Sequence, residues 1–156
     1  MAMTVADAMT PAPLVVHPET PIEEAIHLLV ERQISGLPVV DVQGHLVGVL
    51  SNLDILERQQ GLKPPTYLTF MDAIILLENP RHYRQELHKA LGATVGDVMT
   101  PHPVTVTADK PLTAAAHLMT QRRVQRLPVV DAESKVIGII TRGDIVRTLA
   151  QETSRE

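Results

Sequence analysis

Two stretches of this chain pair a hydroxyl with a carboxylate at one spacing: Gly48-Val49-Leu50-Ser51-Asn52-Leu53-Asp54 and Gly138-Ile139-Ile140-Thr141-Arg142-Gly143-Asp144. In each, an apolar run suited to a strand ends at the hydroxyl residue, where a helix is predicted to start. The first N–H groups of a helix lack intrahelical partners and carry the positive end of its dipole, so such a start attracts a phosphate. Ser51 or Thr141 would donate its hydroxyl to a phosphate oxygen. Asp54 or Asp144, one turn on, would accept from the vicinal hydroxyls of a ribose, a common way to select that sugar. The same spacing is that of a helix capping box, which needs no ligand. On spacing alone the cap is the favoured reading.

The elements that must position these residues come as a duplication. Sliding the chain by 90 residues aligns 5–57 with 95–147 without a gap, and 20 of the 53 positions are identical. The identities include Asp7/Asp97, Met9-Thr10-Pro11/Met99-Thr100-Pro101 and the block Leu37-Pro38-Val39-Val40-Asp41 against Leu127-Pro128-Val129-Val130-Asp131. Each copy predicts a short extended stretch (Leu14 to His17; Val104 to Thr107), a helix, two β-branched strands and a second helix from Ser51 or Thr141. In the first copy Thr20-Pro21-Ile22-Glu23 combines an N-cap, a proline at the first helical position and a capping-box glutamate. Ile22, Ala25, Ile26, Leu29 and Val30 then fall on one helical face. The strands Leu37 to Asp41 and Leu46 to Leu50 are joined by a turn at Gln43-Gly44, replaced by Glu133-Ser134 in the second copy. A β-α-β-β-α unit of this size is marginal alone. The expected class is therefore α+β, with two repeats packed sheet to sheet about a pseudo-two-fold axis.

Residues 58–94 separate the copies and hold all three aromatics, Tyr67, Phe70 and Tyr83. Thr66 to Glu78, carrying Met71, Ile74, Ile75 and Leu77, suggests one helix, and Asn79-Pro80 to Gly92 a second, so a helical hairpin is expected. It would serve as a connector packing its own apolar face, or as a lid or dimerisation element.

Composition narrows the functions. With no cysteine, the 156-residue chain has no disulfide or thiolate metal site, which is compatible with a reducing cytoplasm. The start, Met1 to Asp7, has no basic and apolar leader pattern, and the longest apolar runs, Ala73 to Leu77 and Val136 to Ile140, are too short to span a bilayer. A soluble, cytoplasmic protein is expected. A net charge of −4 argues against nucleic-acid binding, and no helix-turn-helix segment is left over. Neither a Gly-x-Ser-x-Gly elbow nor a P-loop occurs, so no enzyme is expected. His27 and His117 occupy equivalent positions, and His82 and His88 lie in the insert. None makes a tight ligand cluster, so half-buried or interface histidines are expected, with no metal.

The duplicated pattern, DAMTP…TPI…SGLPVVD…LVGVLSNLDIL and DVMTP…KPL…VQRLPVVD…VIGIITRGDIV, resembles a pair of cystathionine β-synthase (CBS) repeats, or Bateman module. The resemblance covers residues 5–57 and 95–147. It implies a regulatory module that binds AMP, ADP, ATP or S-adenosylmethionine, with no cofactor besides that ligand, and it turns the preference at Ser51/Asp54 or Thr141/Asp144 toward a nucleotide role in at least one copy. It implies further that the opening segment of each repeat holds the base over the opposite site: Thr10 to Leu14 over Thr141/Asp144, and Thr100 to Val104 over Ser51/Asp54. Arg126 matches a position that often carries a phosphate-binding arginine, where the first copy has Gly36. Arg142 is a second candidate, and either arginine is equally readable as a solvated surface charge. A purely structural or protein-interaction module is the alternative.

Charge separates the copies. Residues 5–57 carry eight acids and one arginine, for −7, whereas residues 95–147 carry five acids and seven bases, for +2. The Thr141/Asp144 site is therefore the one expected to take a phosphorylated ligand. The resemblance implies a homodimer, and the charge split favours pairing it head to tail.

Overall fold

A computed structural model describes residues 3–58, 67–70, 73–76 and 94–155. The chain divides into two compact units. One comprises Leu14–Val42 and Val47–Pro101, and is called the Ser51 unit below. The other comprises Met1–Pro13, Gln43–Leu46 and His102–Glu156, and is called the Thr141 unit. Each unit thus takes the opening segment of the other repeat.

In chain order the elements are α1 (Val5–Ala8), β1 (Thr10–Pro11), α2 (Ile22–Glu31), β2 (Gly36–Val40), β3 (Leu46–Ser51), α3 (Asn52–Arg58), β4 (Tyr67–Phe70), β5 (Ala73–Leu76), α4 (Val95–Val98), β6 (Thr100–Pro101), α5 (Leu112–Arg122), β7 (Arg126–Val130), β8 (Val136–Thr141) and α6 (Arg142–Thr153). Two three-stranded sheets result, β2-β3-β6 in the Ser51 unit and β1-β8-β7 in the Thr141 unit. This is the α+β architecture that the alternating patterns predict.

Each sheet covers its own apolar core. In the Ser51 unit, Ile22, Ala25, Ile26 and Leu29 of α2 pack with Leu37, Val39, Leu50 and Ile55, together with Val95 and Val98 of α4. Spacings of three and four along α2 put those four side chains on one stripe, and they are the buried ones; Val30, expected on the same face, is only half-buried. In the Thr141 unit, Leu112, Ala115 and Met119 of α5 pack with Leu127, Val129, Ile140 and Ile145, and Val5 of α1 completes the cluster.

The glycine that precedes each hydroxyl by three residues is a packing requirement. A Cβ on Gly138 would lie 2.5 Å from Sδ of Met9 and 3.1 Å from the Thr10 carbonyl oxygen. On Gly48 it would lie 2.6 Å from Sδ of Met99 and 3.0 Å from the Thr100 carbonyl oxygen. Bare backbone lets β1 and β6 pair here, with Pro11 opposite Gly138 and Pro101 opposite Gly48.

Three sequence expectations need correction. The first concerns the insert: Tyr67–Phe70 and Ala73–Leu76 form antiparallel strands, Tyr67 opposite Leu76 and Phe70 opposite Ala73, where a helix was expected. Tyr, Thr, Phe and paired isoleucines favour extended backbone, and a short apolar run does not distinguish strand from helix by period. The second half of the expected hairpin, from Asn79 to Gly92, lies outside the described residues. Secondly, Leu14 to His17 and Val104 to Thr107 contribute only single parallel bridges, Val16 to Val39 and Val106 to Val129. Pro38 and Pro128 on the partner strands lack the N–H that would carry each ladder on toward Leu14 and Val104. Finally, Thr20 does not cap α2; its Oγ1 accepts from the His17 N–H at 3.0 Å, and Pro21 takes the cap position with no side-chain bond.

Candidate functional site

In the Thr141 unit, the β7/β8 ladder places Arg126 directly opposite Thr141 and Pro128 opposite Ile139, while β1 brings Thr10 opposite Ile139. Directly opposed residues share a face, and so do residues two apart along a strand. Thr10, Arg126 and Thr141 therefore stand on one face of the sheet. The core side chains Leu127, Val129 and Ile140 occupy the other face.

At the corner from β8 into α6 the capping box is complete. The Thr141 N–H donates to Oδ2 of Asp144 at 2.9 Å, and the Asp144 N–H donates to Oγ1 of Thr141 at 3.2 Å. The Arg142 N–H donates to the Gln125 carbonyl at 3.1 Å. Of the first three amides of α6, only that of Gly143 is left for an added acceptor. Arg142 itself is exposed. The second carboxylate oxygen, Oδ1 of Asp144, accepts from Nη2 of Arg147 at 2.5 Å; the aspartate side chain is 13% exposed and the arginine 68%. Nη1 of Arg147 would lie 3.2 Å from a Cβ at residue 143, so Gly143 leaves room for the guanidinium to fold back over the helix start.

The Ser51 unit repeats the box with different surroundings. The Ser51 N–H and hydroxyl both donate to Oδ2 of Asp54, at 2.9 and 3.1 Å, and the Asp54 N–H donates to Ser51 Oγ at 3.3 Å. Here Oδ1 of Asp54 accepts from the Thr100 hydroxyl at 2.6 Å. Thr100 arrives on β6, paired opposite Val49. Ser51 and Asn52 are both buried.

Of the residues singled out from sequence, the structure thus gathers Thr10, Arg126, Thr141, Asp144 and Arg142 in one unit, and Ser51, Asp54 and Thr100 in the other. Leu14 falls in the Ser51 unit and Val104 in the Thr141 unit, each apart from the unit of its expected partners. The sequence reading overlooked Arg147. The signal was there, because an arginine three residues after an aspartate on a helix sits beside it. It also overlooked two further boxes, Thr4/Asp7 ahead of α1 and Thr94/Asp97 ahead of α4, in which the aspartate accepts from both the N–H and the hydroxyl of the threonine. Four such boxes close on themselves, so the spacing marks helix starts first. What sets Asp54 and Asp144 apart is the extra partner on the second oxygen.

Elsewhere, His27 and His117 are exposed rather than half-buried, and His27 lies 3.6 Å from Glu31. His82 and His88 lie outside the described residues. Among the described residues no three metal-ligating side chains converge, and no helix is long and apolar enough to cross a membrane. A cleft of about 360 Å³ along α2, lined by Pro21, Glu23, Glu24, His27 and Leu28, shares no residue with either site.

Fold and corner together define a duplicated α+β protein in which each sheet presents a hydroxyl–carboxylate pair at a strand-to-helix junction. The chain belongs to the CBS domain family, whose model matches residues 5–61 and 95–151. It is 40% identical over 152 residues to the chloroplastic CBS domain-containing protein CBSX2 of Arabidopsis thaliana, covering 95% of this chain and 64% of that one. The chain thus spans just under two thirds of that plant relative. It is also 34% identical over 154 residues to the uncharacterized protein MJ1426 of Methanocaldococcus jannaschii, covering 94% and 91% respectively. Among solved structures, CBSX2 in complex with AMP superposes with a TM-score of 0.74 at 38% identity, over 97% of this chain and 98% of that one. The CBS domain pair of MJ0100, in complex with 5′-methylthioadenosine and S-adenosyl-L-methionine, gives 0.69 at 26% identity, over 94% and 99%.

Proposed function

We propose that this chain is a regulatory module that binds an adenosine ligand, an adenine nucleotide or S-adenosylmethionine, and signals its level to another protein without catalysing a reaction. The observation that carries this is the convergence of Thr10, Arg126, Thr141 and Asp144 in one unit. A guanidinium and a hydroxyl stand on one face beside a carboxylate, a set suited to a phosphate and a ribose diol. The ligands of CBSX2 and of the MJ0100 pair support the adenosine moiety. The cysteine-free composition suits a reducing compartment such as the cytoplasm.

A second reading has its own support: both boxes are satisfied internally, as a purely structural or interaction module requires. Thermal melts with AMP, ADP, ATP and S-adenosylmethionine separate the two. A ligand that binds only the folded chain adds about 2.7 kcal/mol at a hundredfold over its dissociation constant, which moves a melt by several degrees. An unchanged melting temperature with all four ligands would favour the interaction module.

The proposed assembly is a homodimer paired head to tail. Exposed Glu24 and Glu31 of α2 would then meet exposed Arg122 and Arg123 at the end of α5 in a second copy, a complementary pairing.

A further inference from the structure

We propose that residues 57 and 147, equivalent positions of the two repeats, sort the ligands by charge. With Arg147, the Thr141 site selects an anionic, phosphorylated adenosine compound. With Glu57, the Ser51 site selects an uncharged or cationic one, such as adenosine or the sulfonium S-adenosylmethionine. Resting on the adenosine-binding function proposed above, this adds which ligand class each site takes and which side chain decides it.

The two positions stand in the same relation to their sites. Each lies three residues after the aspartate, one turn along the helix, where side chains are neighbours. At position 147 the guanidinium is hydrogen-bonded to Oδ1 of Asp144, so the pair presents no net charge to a ligand. In the Ser51 unit the same oxygen is held by the neutral Thr100 hydroxyl, so Asp54 keeps its full negative charge, and Glu57, exposed, adds a second. The remaining differences run the same way. Arg126 is replaced by Gly36, Arg142 by Asn52, and Gly143, which makes room for the guanidinium, by Leu53.

The chemistry follows from what a ribose diol does to each aspartate. Two hydroxyls donating to Asp144 would compete with Arg147 for Oδ1. The released guanidinium would be left beside the helix start, where a positive charge is disfavoured unless an anion joins it. A phosphate supplies that anion, and a guanidinium binds it through paired N–H donors. A nucleoside without phosphate displaces the arginine and offers nothing in return. At Asp54 the diol displaces only a hydroxyl. A phosphate there would face two carboxylates, whereas a sulfonium or ammonium would face two counter-charges. A charge-assisted hydrogen bond changes affinity by roughly tenfold to a hundredfold, enough to separate the classes.

The test is calorimetric titration of the full chain with AMP, adenosine and S-adenosylmethionine at low salt. The Thr141 site is isolated in an Asp54→Ala background and the Ser51 site in an Asp144→Ala background. The expected results are a preference for AMP over adenosine of about tenfold or more at the Thr141 site, and the reverse order at the Ser51 site. Arg147→Glu abolishes the AMP preference while adenosine still binds. Arg147→Gln, which keeps the stem of this exposed residue, does so in part. Glu57→Arg creates an AMP preference at the Ser51 site. An AMP-to-adenosine ratio unchanged by both Arg147 variants would overturn the sorting, as would an equal loss of both ligands, which marks a structural role. Wild-type protein that binds none of the three would instead remove the adenosine-binding function itself.

Discussion

The Ser51 unit and the Thr141 unit share a backbone plan and differ in what dresses it. The common plan reaches fine detail. Left-handed backbone recurs at Ala12 and His102, at Gln33 and Arg123, and at Gly44 and Ser134, each pair 90 residues apart. Only one of the six is a glycine, so the other five hold a conformation that costs a side chain about 1–2 kcal/mol. Inherited geometry of this kind is kept by the surrounding fold. At Ser134 the holding contacts are visible: the Asp131 carboxylate accepts from the N–H groups of Glu133 and Lys135, at 2.9 and 3.0 Å. The polar dressing, by contrast, differs. Asp54 is steadied by a threonine of the other repeat's opening segment, and Asp144 by an arginine of its own helix. A fold constrains core volume and backbone angles, and leaves exposed charges at a site's rim open to change.

Substitutions at the two glycines should break both units alike. Gly138→Ala and Gly48→Ala each set a methyl group against a methionine sulfur and a backbone carbonyl. The sulfurs have flexible stems and yield in part, but the strand carbonyls do not. Each change should cost about 1–3 kcal/mol, read from urea unfolding, with the two losses within about 1 kcal/mol of each other. A loss in one unit only would show that β1 and β6 do not play the same part.

A smaller effect should distinguish the units. Thr100→Val removes the hydroxyl that Asp54 accepts from, and should cost about 0.5–1.5 kcal/mol. Thr10→Val, at the equivalent position, removes no side-chain hydrogen bond among those described for Asp144, and should change stability by less than about 0.5 kcal/mol. Equal costs would mean that Thr10 holds Asp144 as Thr100 holds Asp54.

How much of this was legible follows the range of the interactions. The 90-residue repeat is visible by aligning the chain with itself; the helical stripe of Ile22, Ala25, Ile26 and Leu29 and the Ser51 and Thr141 corners are local patterns, and each stands in the structure where the pattern puts it. The meeting of Thr100 with Asp54 spans 46 residues, and no period encodes it. It was anticipated only through the resemblance, which assigned each opening segment to the opposite site. Tyr67 to Leu76 misled because Met71, Ile74 and Ile75 satisfy a helical spacing over a stretch too short to test it. Arg147 was passed over because an Asp-x-x-Arg pair on a helix is also an ordinary surface contact. Its place beside a capping carboxylate, over a glycine, becomes distinctive only in three dimensions.

The central claim is that the Thr141 corner is a ligand site and not merely a cap. AMP titration of wild type, Asp144→Ala and Asp54→Ala by calorimetry tests it directly, with circular dichroism confirming that each variant stays folded. Loss of one cap should cost each variant a similar amount, about 1 kcal/mol, so stability alone does not separate them. Affinity does. Asp144→Ala should weaken AMP binding by tenfold or more, and Asp54→Ala should leave it within about threefold of wild type. The opposite order, with Asp54→Ala abolishing AMP binding and Asp144→Ala sparing it, would contradict the account.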